Sequence, residues 1–386
     1  MKINKKLPSE SRRDFIKKTA IAATGVMIVP RHVLGGPGFI APSDKLVIAG
    51  IGVGGKGESD IYSFYQSGKA DIAFLCDVDD RRAATSIKRF PKAKYYKDFR
   101  EMMDKESNNF DAVSVSTPDH NHAIQALAAM ERGKHVYVQK PLTHDIFEAR
   151  MLTEAAERNK VVTQMGNQGA SGDGVRKMQE WYNAGLLGKI EKVYCWTNRP
   201  VWPQGIPWPQ SAVPVPKELD WNLWLGTAPY KDYIGGLVPF NWRGWWDYGT
   251  GALGDMACHI MEPPFRVLGL GYPSEAECSV GSVYVGEFTR GYFPESCPPS
   301  SHVTLKFKRD GKEDLEFHWM DGGIQPTRPE ELGPNEMMGD GGNGVIIEGT
   351  RGKMMCSTYG IDPKLLPTSL NQSINVPATL PRVEGG

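Results

Sequence analysis

The chain has 386 residues and carries equal numbers of basic and acidic side chains, 45 Lys and Arg against 45 Asp and Glu. Hydrophobic residues make up 40% and charged residues 23%, which is ordinary globular usage and excludes both a disordered chain and a polytopic membrane protein. No dense run of Lys and Arg follows residue 20, which argues against nucleic acid as a partner. The length predicts two domains.

The first 35 residues have the layout of an export signal, with a basic segment before a short apolar one. Residues 11–18 read Ser-Arg-Arg-Asp-Phe-Ile-Lys-Lys and lead into an Ala-rich stretch at 19–29. That stretch is shorter than the roughly 20 residues that a membrane-spanning helix needs. The paired Arg12 and Arg13 resemble the twin-arginine signal, which implies an exported or periplasmic protein. Whether the signal is cleaved or stays as an anchor is open, and no other transmembrane domain is expected.

A glycine-rich turn follows the first predicted strand. An apolar run from residue 45 leads into Gly50, Gly52 and Gly55, spaced Gly-x-Gly-x-x-Gly, and a helical stretch follows to about residue 67. Glycines between a strand and a helix let the backbone approach a pyrophosphate, whose charge is favoured at the helix N-terminus. We therefore predict that these three glycines bind a dinucleotide.

The second predicted strand ends at Asp77, 22 residues (77 − 55) beyond the third glycine. A carboxylate at about this distance is expected to accept the ribose hydroxyls of the cofactor. Its charge would repel a ribose 2′-phosphate, so NAD is the predicted cofactor. Arg81 and Arg82 follow closely and could reverse that preference, which leaves NADP open.

Two further apolar runs of strand length end in polar clusters. The first cluster reads Thr117-Pro118-Asp119-His120-Asn121-His122, and the second reads Gln139-Lys140-Pro141. Strands that alternate with helices of 10–15 residues predict a doubly wound parallel sheet, whose ligands bind at the carboxyl ends of the strands. The sequence thus predicts an α/β Rossmann domain over residues 44–165 that binds NAD(P).

The second half of the chain contains two polar residues, Asp255 and His259, at helical spacing. Asp255 and His259 are four residues apart, so on a helix they share one face. Gly249, Gly251 and Gly254 suit a tight loop that leads into this helix.

These motifs together resemble the glucose-fructose oxidoreductase / inositol dehydrogenase / rhizopine catabolism (Gfo/Idh/MocA) family over about residues 45–360. The resemblance implies a sugar or polyol oxidoreductase that uses NAD(P). The family signature at the third cluster is usually Glu-Lys-Pro, and here it is Gln139-Lys140-Pro141. The family lysine is carried over to Lys140, while its orientation without the Glu charge is an open question.

The resemblance also implies residue roles. His259 or Lys140 takes the proton from a substrate hydroxyl while the hydride passes to the nicotinamide, and Lys140 stabilises the developing alkoxide. Asp255 is expected to orient the imidazole or to bind a neighbouring hydroxyl. Thr117 and His120 are expected to join Lys140 in contacting the cofactor.

A metal site is the alternative interpretation of the histidines near the third strand. Asp119, His120, His122 and His135 include ligand types that metals prefer. They follow a Rossmann strand, however, where the family places the nicotinamide ribose and the substrate. We therefore predict no metal and expect His122 to contact substrate.

The 10 Trp residues are distributed unevenly: none lies in residues 1–180 and nine lie in residues 181–246. Trp faces stack on pyranose rings while nearby polar groups read hydroxyls, so a carbohydrate substrate is predicted; the alternative is that these Trp residues fill a core. Trp202 and Trp208 are further aromatic candidates. The predicted substrate residues are His122, Asn167, Gln168, Trp242, Arg243, Trp245 and Trp246.

From about residue 190 the sequence alternates apolar and polar residues, as in strands of a one-sided antiparallel sheet. We expect residues 166–386 to form a substrate-binding α+β domain with an open, mainly antiparallel sheet. Residues 345–355 resemble a late pair of strands in the family. Members of the family continue beyond that pair with further helical segments. A homo-oligomer is expected if the full family C-terminus is present.

The leading functional hypothesis is an exported oxidoreductase that oxidises a ring hydroxyl of a sugar or glycoside. The first alternative is an NAD-dependent glycosidase that oxidises C3 transiently, eliminates the glycosidic group and ends with re-reduction. The second is a cofactor-bound sugar sensor without turnover. The presence of both Lys140 and His259 argues against the sensor.

Overall fold

The computed structural model describes residues 41, 44–309, 311 and 314–383. The predicted export signal at residues 1–35 lies outside them. The described chain forms a six-stranded sheet, a seven-stranded sheet and a two-stranded hairpin. In this described part, no helix is both long and apolar enough to cross a membrane.

The first sheet is entirely parallel and has the strand order β3-β2-β1-β4-β5-β6. Its strands are β1 (Leu46–Ile51), β2 (Ala70–Cys76), β3 (Lys94–Tyr96), β4 (Ala112–Val115), β5 (His135–Gln139) and β6 (Thr163–Gly166). The connecting helices are α1 (Lys56–Gln66), α2 (Asp80–Arg89), α3 (Phe99–Glu106), α4 (His122–Met130) and α5 (Ile146–Asn159). This order is the doubly wound one and confirms the predicted Rossmann fold.

The sheet lies between two apolar cores because its central strands are buried on both faces. On β1, Ile48 belongs to one core, and Ala49 and Ile51 belong to the other. Side chains of a strand alternate between its faces, so an unbroken apolar run is what a covered parallel strand requires. Asp79 and Asp98 cap α2 and α3 with their side chains, which fixes where those helices start.

The glycine-rich turn is shifted relative to the sequence prediction. Gly52 is the first residue after β1 and has a positive φ of 74°. Gly57 lies in the first turn of α1, where an added Cβ would stand 1.8 Å from the carbonyl oxygen of Gly52. Only glycine permits this approach of helix to strand, which is the task of the last glycine in a dinucleotide fingerprint. The fingerprint is therefore Gly52-x-Gly54-x-x-Gly57.

Gly50 and Gly55 consequently have other places than those predicted for them. Gly50 is a strand residue inside β1, paired with Leu75 and Ser114. Gly55 precedes α1 as its N-cap with a φ of 58° and still lines the turn. In the corrected register Asp77 lies 20 residues (77 − 57) beyond the last glycine, closer to the expected distance.

The second sheet has the order β15-β14-β13-β7-β12-β11-β8, and of these neighbouring pairs only β7 and β12 run parallel. Its strands are β7 (Ile190–Trp196), β8 (Glu275–Val280), β11 (Ser301–Phe307), β12 (Leu315–Met320), β13 (Gly344–Gly349), β14 (Gly352–Cys356) and β15 (Lys364–Leu366). β9 (Tyr284–Gly286) and β10 (Thr289–Arg290) form the separate hairpin. The predicted mainly antiparallel second sheet is thus confirmed.

Helices cover one face of this sheet. They are α6 (Asp173–Asn183), α8 (Gly251–Ile260) and α9 (Glu262–Leu268), while α7 (Trp221–Leu225) and α10 (Leu370–Ser373) are short. Met178 and Ile260 from the helices pack with Val193, Phe317 and Val345 from the strands in one buried core. At the start of α8, the hydroxyl of Thr250 donates to Asp119, which follows β4, at 3.0 Å, so the helix begins beside the first sheet.

Replacement of Gly57 by Ala tests the corrected fingerprint. Its Cβ would overlap the Gly52 carbonyl, so we expect Gly57→Ala to lower the free energy of unfolding by about 3 kcal/mol and to weaken NADH binding strongly. Urea unfolding and NADH fluorescence measure the two effects. Gly271→Ala is the control, because a Cβ there meets nothing within 4 Å. Equal behaviour of the two variants would contradict the fingerprint.

Candidate active site

A cavity of about 630 Å³ opens at the carboxyl ends of the first sheet. The turn after β1, the ends of β2, β4 and β5, and the segment 219–243 of the second half line it. That segment is held against the first sheet by backbone bonds, from Asp220 to Val78 at 2.9 Å and from Asp80 to Glu218 at 3.1 Å. The volume is typical of small-molecule sites, and the position is where doubly wound sheets bind ligands.

The residues at one end of the cavity fit a dinucleotide. The turn presents Gly52 and Gly54 without side chains, and α1 begins directly behind it. Asp77 is held at the turn because its carboxylate accepts hydrogen bonds from the N–H groups of Val53, at 2.9 Å, and of Asp79, at 3.0 Å. Burial raises the pKa of Asp77 to about 6, so the group is mainly ionised at neutral pH.

The two arginines that could have favoured NADP differ in their surroundings. Arg81 is engaged by the carboxylate of Asp79 at 2.7 and 2.8 Å. Arg82 lies against Gly54 and Gly55 and lines the cavity. The negative Asp77 at the end of β2 and the pairing of Arg81 agree with NAD as the cofactor.

Lys140, Asp255 and Arg243 form a charged cluster at the other end of the cavity. Lys140 follows β5 directly, and its ammonium donates to the carboxylate of Asp255 at 2.7 Å and to the Asp255 carbonyl at 2.8 Å. The Arg243 Nε donates to the same carboxylate oxygen at 3.2 Å. Burial alone would raise the pKa of Asp255, but the two cations outweigh it and hold the pKa below its ordinary value.

His259 lies one turn beyond Asp255 on α8, but the predicted contact between them is not made. The carboxylate of Asp255 binds Lys140 and Arg243, and the Nδ1 of His259 has no hydrogen-bond partner in the part of the chain that is described. His259 is 3% exposed, and its ring packs edge-on against that of Tyr359, with ring centres 4.7 Å apart. Burial and the nearby Lys140 lower the pKa of His259 to about 3, so its ring is neutral at physiological pH.

The predicted nucleotide and substrate contacts after β4 fall into two groups. Thr117 lines the cavity and donates to the Gln125 side chain at 2.8 Å. The ring of His120 meets the carbonyls of Tyr248 and Trp224, at 3.2 and 3.0 Å. The imidazoles of His120 and His122 therefore do not serve the cavity as predicted, since all four of their ring nitrogens face backbone carbonyls.

The two ring nitrogens of His122 face the backbone carbonyls of Pro141, at 2.7 Å, and of Thr117, at 2.8 Å. Burial lowers the pKa of His120 to about 4, which keeps that ring neutral. The described residues contain no group of three or more His, Cys, Asp or Glu side chains placed to hold a metal ion. His120 thus joins the two halves of the chain, and His122 joins the ends of β4 and β5.

Asn167 and Gln168 follow β6 and lie outside the lining of the large cavity. Gln168 donates to the Gly166 carbonyl at 2.7 Å and to the Gln139 side chain at 3.2 Å. The Oδ1 of Asn167 is buried without a hydrogen-bond partner among the described residues. These two positions stay predictions as substrate contacts.

The Trp residues that were predicted to bind substrate are separated in space. Trp242 lines the large cavity, and the Arg243 guanidinium lies 4.3 Å from its ring centre. Trp245 is buried against Trp208, with ring centres 5.2 Å apart. Trp246 is 44% exposed and lines a second cavity of about 450 Å³. Trp245 and Trp208 therefore fill a core, and Trp242 with Arg243 faces the predicted site.

Asp119 and Asn121 also line the cavity, although neither was among the predicted cofactor or substrate residues. Asp119 is buried at the cavity wall, and its carboxylate accepts a hydrogen bond from Thr250 at 3.0 Å. Burial raises the pKa of Asp119. Asn121 donates to the Trp224 carbonyl at 3.0 Å and so holds segment 219–243 against the first half of the chain. The position of Asp119 at a strand end was the available clue.

Fold and site together define a nucleotide-binding oxidoreductase. Two family models match the chain: the NAD-binding Rossmann fold of an oxidoreductase family over residues 46–167, and the C-terminal alpha/beta domain of that family over residues 175–281. The chain belongs to the Gfo/Idh/MocA oxidoreductase family and binds NAD.

Two proteins of Shewanella resemble part of this chain in sequence. The alpha-N-acetylgalactosaminidase of Shewanella oneidensis is 30% identical over 173 residues, which cover 39% of this chain and 37% of that protein. A glycosyl hydrolase family 109 protein of Shewanella pealeana is 28% identical over 173 residues, 39% of this chain and 38% of that protein. The matches thus span well under half the length of these relatives.

Among solved structures, a levoglucosan dehydrogenase in complex with NADH superposes with a TM-score of 0.56 at 19% identity, covering 84% of this chain and 76% of that chain. The WlbA dehydrogenase of Bordetella pertussis, in complex with NADH and UDP-GlcNAcA, gives a TM-score of 0.55 at 16% identity and covers 81% and 73%. At these identities the likeness establishes the fold.

The low pKa of His259 predicts a pH dependence of stability. An unfolded chain takes up a proton on this imidazole near pH 6.5, whereas the folded protein does so only near pH 3. Since the unfolded state binds more protons between these values, the contribution of neutral His259 to stability is full above pH 6.5 and is lost as the pH falls through this window.

We expect His259→Leu to remove this contribution. Between pH 6.5 and 4 the free energy of unfolding of the unmodified protein should fall relative to that of the variant, by at most about 1.4 kcal/mol per pH unit. Urea unfolding at several pH values gives both curves. If the free energies of unfolding of the two proteins changed in parallel with pH, the imidazole would have the same pKa in the folded and unfolded states.

Proposed function

We propose that this protein is an exported NAD-dependent oxidoreductase that oxidises a ring hydroxyl of a sugar or glycoside. The observation that carries the proposal is the Lys140 ammonium at the cavity wall, held by Asp255 at 2.7 Å beside Arg243. A fixed cation at this place can bind a hydroxyl oxygen and stabilise it as its proton leaves. Trp242 supplies an apolar face in the same cavity.

The bound cofactor supplies a hydride acceptor at C4 of its nicotinamide. Lys140 donates a hydrogen bond to the substrate oxygen and stabilises its negative charge, while Asp255 keeps the ammonium in place. The proton leaves to a base, for which the neutral imidazole of His259 is the candidate while Lys140 is an ammonium. Lys140 itself could accept the proton only if it reacts as the neutral amine. Segment 219–243 lines the cavity, so it would shield part of a bound substrate from solvent.

An NAD-dependent glycosidase is the second candidate. It is favoured by the similarity to the alpha-N-acetylgalactosaminidase of Shewanella oneidensis, although the match covers only 37% of that protein. Oxidation at C3 would acidify the C2 proton, so that the glycosidic group is eliminated and water adds. Reduction at C3 completes the cycle without net NADH, which suits a compartment that lacks a free nicotinamide pool.

A panel of glycosides, incubated with the purified protein with and without added NAD, separates these functions. Accumulation of NADH at 340 nm is expected for the dehydrogenase. Release of the aglycone without net NADH is the result expected of the glycosidase. Binding of sugars with neither product would overturn both and leave a sensor.

Substitutions at the charged cluster test the chemical roles. We expect Lys140→Met to reduce turnover by about a hundredfold or more, because the developing alkoxide loses its cation. His259→Ala should have a comparable effect if the imidazole is the base. Steady-state kinetics on the substrate found in the panel measure both. Lys306→Met serves as the control, since that lysine pairs with Glu275 on the second sheet, at 2.8 Å.

Near-normal turnover in either variant would remove that residue from the mechanism. Circular dichroism of the purified variants shows whether a loss of turnover reflects a loss of the fold. A variant that is folded, binds NADH and turns over slowly has lost a chemical group. A variant that has lost its circular dichroism signal has not tested that group, and the conservative Lys140→Arg then replaces Lys140→Met.

Export rests on Arg12 and Arg13, which resemble the twin-arginine signal. We expect the double change Arg12→Lys with Arg13→Lys to retain the protein in the cytoplasm, because this pathway reads the arginine pair. Cell fractionation of the full chain, with and without the change, measures the exported share. Equal export of both forms would contradict the proposal.

A further inference from the structure

Gln139, the last residue of β5, is bonded at both ends of its amide. The side chain is buried, and its Nε2 donates to Asp60 at 2.8 Å. Its Oε1 accepts from the Gln168 amide at 3.2 Å and from the backbone N–H of Lys140 at 3.3 Å. A carboxamide can donate and accept at once, whereas an ionised carboxylate can only accept.

Asp60 is the group that receives this donor. It lies on α1, one turn after the glycine-rich turn, and is 5% exposed. One carboxylate oxygen binds the Lys56 ammonium. The other accepts from Ser116, at 2.9 Å, and from Gln139. A single buried carboxylate thus joins the helix behind the cofactor turn to the ends of β4 and β5.

The Glu expected at position 139 from the family pattern would not fit here. It would place a second carboxylate within hydrogen-bond distance of Asp60, and two such charges repel each other strongly when buried. The chain has instead an amide at 139 and the acid at 60. The negative charge is present in the network, but it lies on α1.

We propose that Asp60 and Gln139 are a matched pair of positioning residues for Lys140. Together they fix the main chain at the end of β5 against α1, and the Lys140 ammonium consequently reaches Asp255 and faces the cavity. Gln168 extends the same network to the turn after β6. The inference rests on the proposed role of Lys140, but it concerns a geometry that can be measured without substrate.

Reactivity of the Lys140 amine reports on this geometry. The purified full chain is acetylated with limiting N-acetoxysuccinimide, and peptide mass spectrometry gives the rates at Lys140 and at Lys353. Lys353 is an internal reference, because it pairs with Glu331 and Glu348 on the second sheet. We expect Gln139→Glu to raise the ratio of Lys140 to Lys353 labelling by about tenfold, since repulsion from Asp60 releases the strand end.

Exchange of the two groups is the decisive variant. In Asp60→Asn with Gln139→Glu the amide on α1 can donate to the carboxylate on β5, so the pair is re-formed with its direction reversed. The labelling ratio is expected to return to within about twofold of the original. Gln164→Glu on the exposed surface of β6 is the control for adding a charge nearby and should label as the original does.

A ratio unchanged by Gln139→Glu, or equally high in the exchanged double variant, would overturn the proposal. If Gln139→Glu does not fold, Gln139→Met takes its place, with an expected rise of about threefold from the lost hydrogen bonds alone; an unchanged ratio there overturns the proposal as well. NADH affinity, measured by fluorescence on the same samples, should fall where the labelling ratio rises and recover in the exchanged double variant. An original protein that shows no turnover on any sugar would contradict the proposed function and leave the labelling result intact.

Discussion

The ion pair between Lys140 and Asp255 is the interaction on which the site depends. Lys140 directly follows β5 of the first sheet, and Asp255 lies on α8, which packs on the second sheet. Each of the two side chains is only 14% exposed. A buried charge without its partner is costly, so loss of this contact would leave the Lys140 ammonium without its carboxylate, whereas Asp255 would keep Arg243. The contact that positions Lys140 at the cavity thus also joins the two halves of the chain.

The doubly wound sheet was predictable because its causes are local. Strands buried on both faces must be continuous apolar runs, and their polar ends must lie on one edge. The glycine turn was not fully predictable, since residues 50–57 contain two overlapping Gly-x-Gly-x-x-Gly patterns. The choice between them is made by the end of β1 and by the 1.8 Å approach at Gly57, which is a contact in space.

The sequence indicated candidate site residues but not the contacts that they make. Family resemblance indicated Lys140, Asp255 and His259, and a spacing of four placed the latter two on one helical face. Which group Asp255 binds depends on Arg243 and on the end of β5, far away in the chain. The Trp cluster shows the same limit, because a sequence does not distinguish Trp242 at a cavity from Trp245 in a core.

The environment of His259 bears on the choice of base. A group whose pKa is near 3 holds a proton at neutral pH only when a new negative charge arises beside it. Lys140 lines the cavity, whereas His259 lies outside that lining, so under the proposed function the substrate oxygen would meet the ammonium first. A developing alkoxide would share Lys140 with Asp255 and would weaken the cationic field that disfavours the imidazolium. The imidazole thus becomes a better base as the reaction advances, and a poor one before substrate is bound.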